Sequence, residues 1–293
     1  MYEKLEECPS CKHTKFNNFN ICKDYTVTGE SFALVKCCKC QLVFTNPRPT
    51  MDVIGQYYKS ADYISHTNNT RNLSDLVYKM VRWYMLNQKS KLIKKHHSVG
   101  SILDYGCGTG HFLKHMQNKG WQVSGIEPDQ STNIKASDKT KVKINTTLSE
   151  LSRQQEFDII TAWHVIEHVH DLQQTIKGLR NKLSESGFIF IALPNHNSYD
   201  AMHYKEHWAA YDVPRHLYHF SQDSFMRLIK SQKLHLIDTV PMPFDSYYVS
   251  LLSEKNSTGK TNYLEAFKTG RKSNATAKHK TGEYSSLIYV LSK

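Results

Sequence analysis

The stretch Ile102-Leu103-Asp104-Tyr105-Gly106-Cys107-Gly108-Thr109-Gly110 decides how this chain reads. An apolar run ends in an acid, and three glycines follow at alternate positions. Further on, a second apolar-ended run, Gln122–Ile126, closes on another acid, Glu127. That order describes a strand, a tight turn, a helix and a second strand. Glycine at the turn lets the backbone approach a bound molecule without a side chain in the way.

Working outward, the alternation continues. Strands are expected at Ser101–Tyr105, Gln122–Ile126, Val142–Ile144, Phe157–Ala162, Gly187–Leu193, Leu234–Val240 and Ser286–Leu291. Helices are expected at Gly110–Lys119, Gln130–Ser137, Asp171–Leu183 and Ser221–Ser231, the last capped by Ser221. This is an α/β pattern: a Rossmann-like, seven-stranded, mostly parallel sheet with helices on both faces. Ligands of such sheets sit outside the carboxyl ends of the strands. Residues 73–96 read as one amphipathic helix, with Leu73, Leu76, Val77, Met80, Val81, Tyr84, Leu92 and Ile93 on its apolar face. Residues 241–284 form an insertion before the last strand. Within it Phe244–Leu252 suits a short helix, whereas 254–283 is polar, lysine-rich and without periodicity. The latter is read as a mobile loop, with a flap or a surface for an acidic partner as the functional alternatives.

The glycine turn has to be weighed against a dinucleotide fingerprint, G-x-G-x-x-G. Here the third glycine comes one position early, and His111 stands where that pattern needs glycine. Asp104, two residues before Gly106, would repel a pyrophosphate but attract an ammonium or sulfonium group. Glu127 is placed to accept hydrogen bonds from both ribose hydroxyls. Together these residues fit S-adenosylmethionine (SAM), a cationic nucleoside without phosphate.

At this point residues 100–195 resemble the class I SAM-dependent methyltransferases. The family's glycine-rich motif falls on Leu103–Gly110 and its ribose acid on Glu127. Phe157-Asp158-Ile159-Ile160-Thr161-Ala162-Trp163-His164-Val165-Ile166-Glu167-His168-Val169 resembles its fourth-strand motif. The resemblance implies that Ala162, Trp163 and His164 line the methionine end of the cofactor, with the adenine side near Thr147–Leu148. His164-x-x-Glu167-His168 is similar to the Glu-x-x-Glu-His of ubiquinone-biosynthesis O-methyltransferases, with His164 in place of the first acid. In those enzymes the motif is linked to a divalent cation, and a helical i, i+3, i+4 spacing would put the three side chains on one face. Orientation of loop or substrate by hydrogen bonds is the competing role for Glu167 and His168.

Seven cysteines are present, at 8, 11, 22, 37, 38, 40 and 107. Cys8-Pro9-Ser10-Cys11 and Cys37-Cys38-Lys39-Cys40 are two CxxC pairs, each able to offer two thiolates from one turn. Cys8, Cys11, Cys37 and Cys40 are therefore expected to bind a structural zinc in a small N-terminal ribbon, as against packing as free thiols. Cys38 would be a bystander and Cys22 a packing residue. The expected organisation is a ribbon over 1–48, a helical linker or lid over 49–98 and a methyltransferase domain over 99–293. Tyr63 and His66, in the linker, would either close over the cofactor or merely pack.

Methyl transfer to a hydroxyl needs in-line alignment and a proton acceptor. The segment Trp208-Ala209-Ala210-Tyr211-Asp212-Val213-Pro214-Arg215-His216-Leu217 is similar to a signature of methyltransferases acting on small metabolites and sugars. Read as a wall of the acceptor site, it makes His216 the first candidate base and His168 the second. The expected reaction is O-methylation of a small-molecule acceptor, with a phenolic metabolite or a nucleotide-linked sugar as the substrate classes in view.

The formal charge of +11, from 38 Lys and Arg against 27 Asp and Glu, favours a solvated basic surface, since no block of five contiguous basic residues occurs. The rival is an RNA-modifying methyltransferase that uses ribbon and basic surface to grip nucleic acid. Against it, the Asn/Asp-Pro-Pro-aromatic element that a resemblance to base N-methylating enzymes would imply is missing, as Pro194 stands alone before Asn195. No run of about 18 apolar residues suggests a membrane span. The first seven residues, rich in acids, do not read as a signal peptide, so a cytoplasmic location is expected.

Overall fold

The computed structural model describes residues 1–58 and 73–293, the side chains of 73–78 excepted. Tyr63 and His66, expected as a lid, lie outside the described residues. In chain order the elements are β1 (Tyr2–Glu3), β2 (Phe16–Lys23), β3 (Ser31–Cys37), β4 (Val43–Thr45), β5 (Arg48–Pro49) and α1 (Leu73–His96). Then come β6 (Ser101–Tyr105), α2 (His111–Gln117), β7 (Gln122–Ile126), α3 (Gln130–Thr140), β8 (Phe157–Trp163), α4 (Leu172–Lys182) and β9 (Leu183–Pro194). The chain continues with α5 (Tyr199–Tyr204), β10 (Tyr218–His219), α6 (Gln222–Ser231), β11 (His235–Pro241), α7 (Asp245–Thr258), α8 (Tyr263–Thr276) and β12 (Ser286–Ser292).

The main sheet has the order β11-β12-β9-β8-β6-β7, and β6 pairs in parallel with both β7 and β8. Ile102, Leu103, Ile159, Ile160 and the run Ile189–Leu193 are all buried. Continuous apolar strands of this kind are what a sheet covered on both faces requires. The seventh strand expected at Val142–Ile144 is reduced to a single parallel bridge between Ile126 and Asn145. The Asn133 side chain occupies carbonyls there, donating to Glu127, Ile144 and Asn145 at 3.0, 3.2 and 3.3 Å, and a full ladder does not form. Asp129 caps α3 through Thr132 N at 2.8 Å, and Ser221 forms a reciprocal capping box with Ser224 at α6, as expected of that serine.

The described residues group into two compact units, within Met1–His66, Ile166–Ile176 and Ala192–Tyr289 for one, and Thr67–Val165, Lys177–Ile191 and Val290–Lys293 for the other. In the first unit β10-β4-β3-β2 form a four-stranded sheet, in which β10 pairs antiparallel with β4. Its core joins Cys22, Phe32, Leu34 and Val43 of the N-terminal strands to Trp208, Tyr211 and Val213. Cys22 is the packing residue the sequence suggested. In the second unit, α1 buries Leu92 and Ile93 but leaves Met80, Val81 and Tyr84 exposed at 62%, 45% and 43%. Among the described side chains of the expected apolar stripe, Leu92 and Ile93 at its C-terminal end are the covered ones.

Residues 254–283, read from sequence as a loop, are helical over most of their length, in α7, α8 and the turn Ala277–Thr281. The facing surfaces use small residues: Ser246, Ser250, Ser253, Ala266, Thr269, Gly270 and Ser273 are all buried. A Cβ on Gly270 would lie 2.9 Å from Tyr247 Cα, so only glycine allows this approach. Ser246 Oγ donates to Gly270 O at 3.1 Å across the pair.

Candidate active site

The turn after β6 takes its shape from its glycines. Gly106, Gly108 and Gly110 have φ of 74°, 52° and 73°, a left-handed region that side chains disfavour. A Cβ on Gly106 would strike Val165 Cγ2 at 2.5 Å, and one on Gly110 would meet Ala136 Cα at 3.0 Å. At Gly108 nothing lies within 4 Å, so the bend presents bare backbone to open space there.

Two carboxylates flank the bend. Asp104 is 2% exposed and accepts a hydrogen bond from Thr161 Oγ1 at 2.6 Å. Burial pushes its carboxyl up to about 7, against the pull of Thr161 and Lys89. Glu127 accepts from Gly108 N at 2.9 Å through one oxygen and from Asp129 N at 3.1 Å through the other. Burial raises its pKa too, although those two N–H groups oppose the shift. Each oxygen retains a lone pair for a further donor. Thr161 and Lys89 were not singled out from sequence. Thr161 sits in the strand β8, beside Asp104 by the parallel register, which no local motif announces.

Ala162 is fully buried, which leaves Trp163 and His164, both partly exposed, as the residues that present surface at the end of β8. Lys89 Nζ lies 4.2 Å over the Trp163 ring, and Phe112 packs edge-on against it at 5.5 Å. His164 has φ of +55°, and Ile166–His168 form a 3-10 turn. The i, i+3, i+4 helical face expected for His164, Glu167 and His168 is therefore not formed. The backbone turns at His164 instead.

A different triple is brought together. Glu167, His168 and His216 each present one ligand atom within 4.8 Å of the others, and His164 is not a member of the group. The tie is backbone: Leu217 N donates to Glu167 O at 2.7 Å, which brings His216 beside His168. The two imidazole rings pack edge to face at 4.6 Å. His216 Nδ1 lies 2.8 Å from Ala210 O, a contact only a protonated Nδ1 can make, which leaves Nε2 as the basic nitrogen. Its Nε2 lies 3.9 Å from Asp212 Oδ2. His168 Nδ1 is 3.0 Å from Arg215 O and 3.1 Å from the Tyr58 hydroxyl. Burial and the neighbouring His216 push its pKa down to about 4, so it is neutral at physiological pH.

Much of the segment expected as a site wall is framework. Trp208 Nε1 donates to the buried Asp200 at 2.8 Å. Arg215, 1% exposed, spans Asp24 at 3.0 Å, Tyr57 O at 2.9 Å and both oxygens of Asp212. His207 bonds the Tyr25 hydroxyl at 2.6 Å, and His203 is an exposed residue between Tyr199 and Tyr204. Of the side chains of this segment, His216 joins the Glu167–His168 pair, and the partly exposed Asp212 lies beside His216.

Cys8, Cys11, Cys37 and Cys40 form a second cluster, with all four Sγ atoms within 4.8 Å. Cys8 and Cys40 are 3.5 Å apart and Cys11 and Cys37 are 3.6 Å apart. Four sulfurs at about 2.3 Å around a tetrahedral zinc stand about 3.8 Å from one another, so the cluster fits that ion. Cys38 is exposed and outside it.

A family model described as a methyltransferase domain matches residues 80–238, more than half of the chain. The ubiquinone biosynthesis O-methyltransferase of Bradyrhizobium diazoefficiens is 35% identical over 103 residues, covering 33% of this chain and 40% of that protein. The protein of the same name from Rickettsia felis is 32% identical over 138 residues, covering 45% and 52%. The matched region thus spans about half, or less, of the length of these relatives. Magnesium protoporphyrin IX methyltransferase from Synechocystis, solved with bound SAH, shares the fold with a TM-score of 0.53 at 12% identity, over 83% of this chain and 99% of that one. Glycine turn, sheet order and family match agree, and the chain belongs to the methyltransferase-domain family, with the class I SAM-dependent architecture.

Proposed function

We propose that this chain transfers a methyl group from SAM to a hydroxyl of a small-molecule acceptor. The observation that carries the reading is the glycine bend between Asp104 and Glu127, open at Gly108. The buried Asp104 carboxylate attracts the cationic methionine end, Glu127 takes the ribose hydroxyls, and Trp163 and His164 line the methionine side. When bound, SAM supplies an activated methyl on a good leaving group. The protein must align the acceptor and remove one proton. His216 Nε2, its tautomer set by Ala210 O, takes the hydroxyl proton as the new C–O bond forms. Asp212, at 3.9 Å, then faces the imidazolium. The names of the relatives, ubiquinone biosynthesis O-methyltransferases, support oxygen as the methylated atom and a small molecule as acceptor.

A second reading of the same residues rests on one observation, the convergence of Glu167, His168 and His216. A divalent cation held there would lower the pKa of an acceptor phenol, and His216 would then be a ligand instead of a base. The four cysteines would hold a structural zinc, with no open position for substrate.

The test is incubation of the purified protein with methyl-labelled SAM and a metabolite extract, with mass spectrometry of the labelled product. The expected product carries a methyl ether. His216→Ala should lower turnover by about 100-fold or more, the usual contribution of general-base catalysis. Activity that disappears on chelation and returns with a divalent cation selects the second reading. An absence of labelled product from every extract fraction, with SAM bound, would refute the methyltransferase reading itself.

A further inference from the structure

The α7–α8 hairpin ends in a surface that the reaction does not use. Tyr263, Leu264 and Phe267, in the first turns of α8, are 72%, 74% and 58% exposed. At 3.6 residues per turn these three fall within about 100° of one face, and Arg271, at i+8 from Tyr263, lies on the same face. Their inner neighbours Ala266, Thr269 and Gly270 are buried against α7, and Phe267 stacks on Tyr247 of α7 at 5.3 Å, while Tyr263 and Leu264 stand most exposed beside it. Large apolar side chains clustered on an otherwise polar exposed surface mark a binding face.

Charge says what it faces. Between Lys255 and Lys272 the exposed charged residues are Lys255, Lys260, Glu265, Lys268, Arg271 and Lys272: five cations and one acid. The acid is taken up by Lys268 at 2.7 Å. We infer that the tip of the α7–α8 hairpin docks on an anionic lipid surface, with Tyr263, Leu264 and Phe267 entering the headgroup boundary and the surrounding cations meeting lipid phosphates. Three side chains expose about 500 Å², short of the about 800 Å² per partner of a standard protein interface, but enough for shallow insertion. A basic collar around a short apolar tip is also the pattern that adds electrostatic attraction to such insertion. Among the described residues no helix is long and apolar enough to cross a membrane, so this contact lies on the surface and does not span it.

The test is co-sedimentation of the full chain with vesicles of phosphatidylcholine alone and of phosphatidylcholine mixed with phosphatidylglycerol. Binding is expected to be at least about tenfold tighter to the anionic vesicles and to weaken with salt. Tyr263→Ser/Leu264→Ser, which keeps the Tyr247–Phe267 stack, should lose at least about tenfold, and Arg271→Glu should lose the preference for anionic lipid. Circular dichroism and melting temperature of both variants should match the native chain, because the replaced side chains are exposed. Equal binding to both vesicle types, or to neither, overturns the inference. So does concentration-dependent self-association abolished by Tyr263→Ser/Leu264→Ser, which would assign the face to a second copy.

Discussion

Replacing Arg215 by Met should cost this protein about 3 kcal/mol of stability. The guanidinium is 1% exposed and donates through Nε, Nη1 and Nη2 to three residues. Nη1 donates to Tyr57 O at 2.9 Å, Nη2 to Asp24 at 3.0 Å and to Asp212 at 2.6 Å, and Nε to Asp212 at 3.0 Å. Methionine fills similar volume but leaves the side chain of Asp24, which is fully buried, without its countercharge. Breaking a buried pair from one side costs about 3–5 kcal/mol. The lower figure applies, because Asp24 keeps donors from Thr26 N and Thr28 N, both at 2.9 Å, and the Asp212 side chain is 28% exposed. At about 2–4 °C per kcal/mol the melting temperature should fall by about 6–12 °C by calorimetry. Asp24→Asn in the Met background should then cost less than in the native chain, with a coupling of about 0.5–3 kcal/mol.

The pH dependence follows from the two carboxyls. Burial opposes ionisation of Asp24 and Asp212. Backbone N–H groups and Arg215 nonetheless hold Asp24 below the usual carboxylate range, and His216 and Arg215 do the same for Asp212. Their contribution is fully present above the unfolded pKa of about 3.9 and is lost as pH falls through the lower folded values. Native chain and variant should therefore converge on acidification below about pH 4. A loss under about 1 kcal/mol at neutral pH, or strict additivity with Asp24→Asn, would refute the role given to Arg215.

Two glycine substitutions should separate architecture from ligand contact. Gly106→Ala combines a strained φ with a 2.5 Å clash on Val165 and should destabilise by about 2 kcal/mol or more, seen in urea melts. Gly108→Ala meets no neighbour and should cost about 1 kcal/mol, yet weaken SAM binding, because its methyl occupies the approach to the bend. The four-cysteine cluster should contain one zinc per chain by elemental analysis. Chelation should lower the melting temperature by more than about 10 °C, whereas Cys38→Ser should retain the metal.

The glycine bend was legible because three residues without Cβ at alternate positions suit a backbone that must turn left-handed and come close to a ligand, and the flanking apolar runs fixed the strands. The CxxC pairs were legible for a similar reason: two short repeats dictate one geometry. The first half of α7 was expected at Phe244–Leu252, but its continuation to Thr258 and the whole of α8 were not, since the pair packs through Ser246, Ser250, Ser253, Thr269 and Gly270 and shows no apolar period. The Glu167–His168–His216 convergence escaped sequence reading because a backbone bond far along the chain creates it, Leu217 N to Glu167 O. The three-residue helical face drawn through His164 failed where the backbone turns left-handed at that residue. Thr161 became visible only when parallel pairing set it against Asp104.

The most direct test is calorimetric titration of the full chain with SAM, on the native protein and on Asp104→Ala, at pH values on either side of 7. One site per chain is expected, with affinity reduced at least about tenfold, or about 1.4 kcal/mol, in the variant. Because burial raises the Asp104 carboxyl to about 7, the native affinity should fall as pH drops below that value, with proton release on binding there. No saturable binding, or a variant that titrates like the native chain across that range, would contradict the assignment of this bend to a cationic nucleoside.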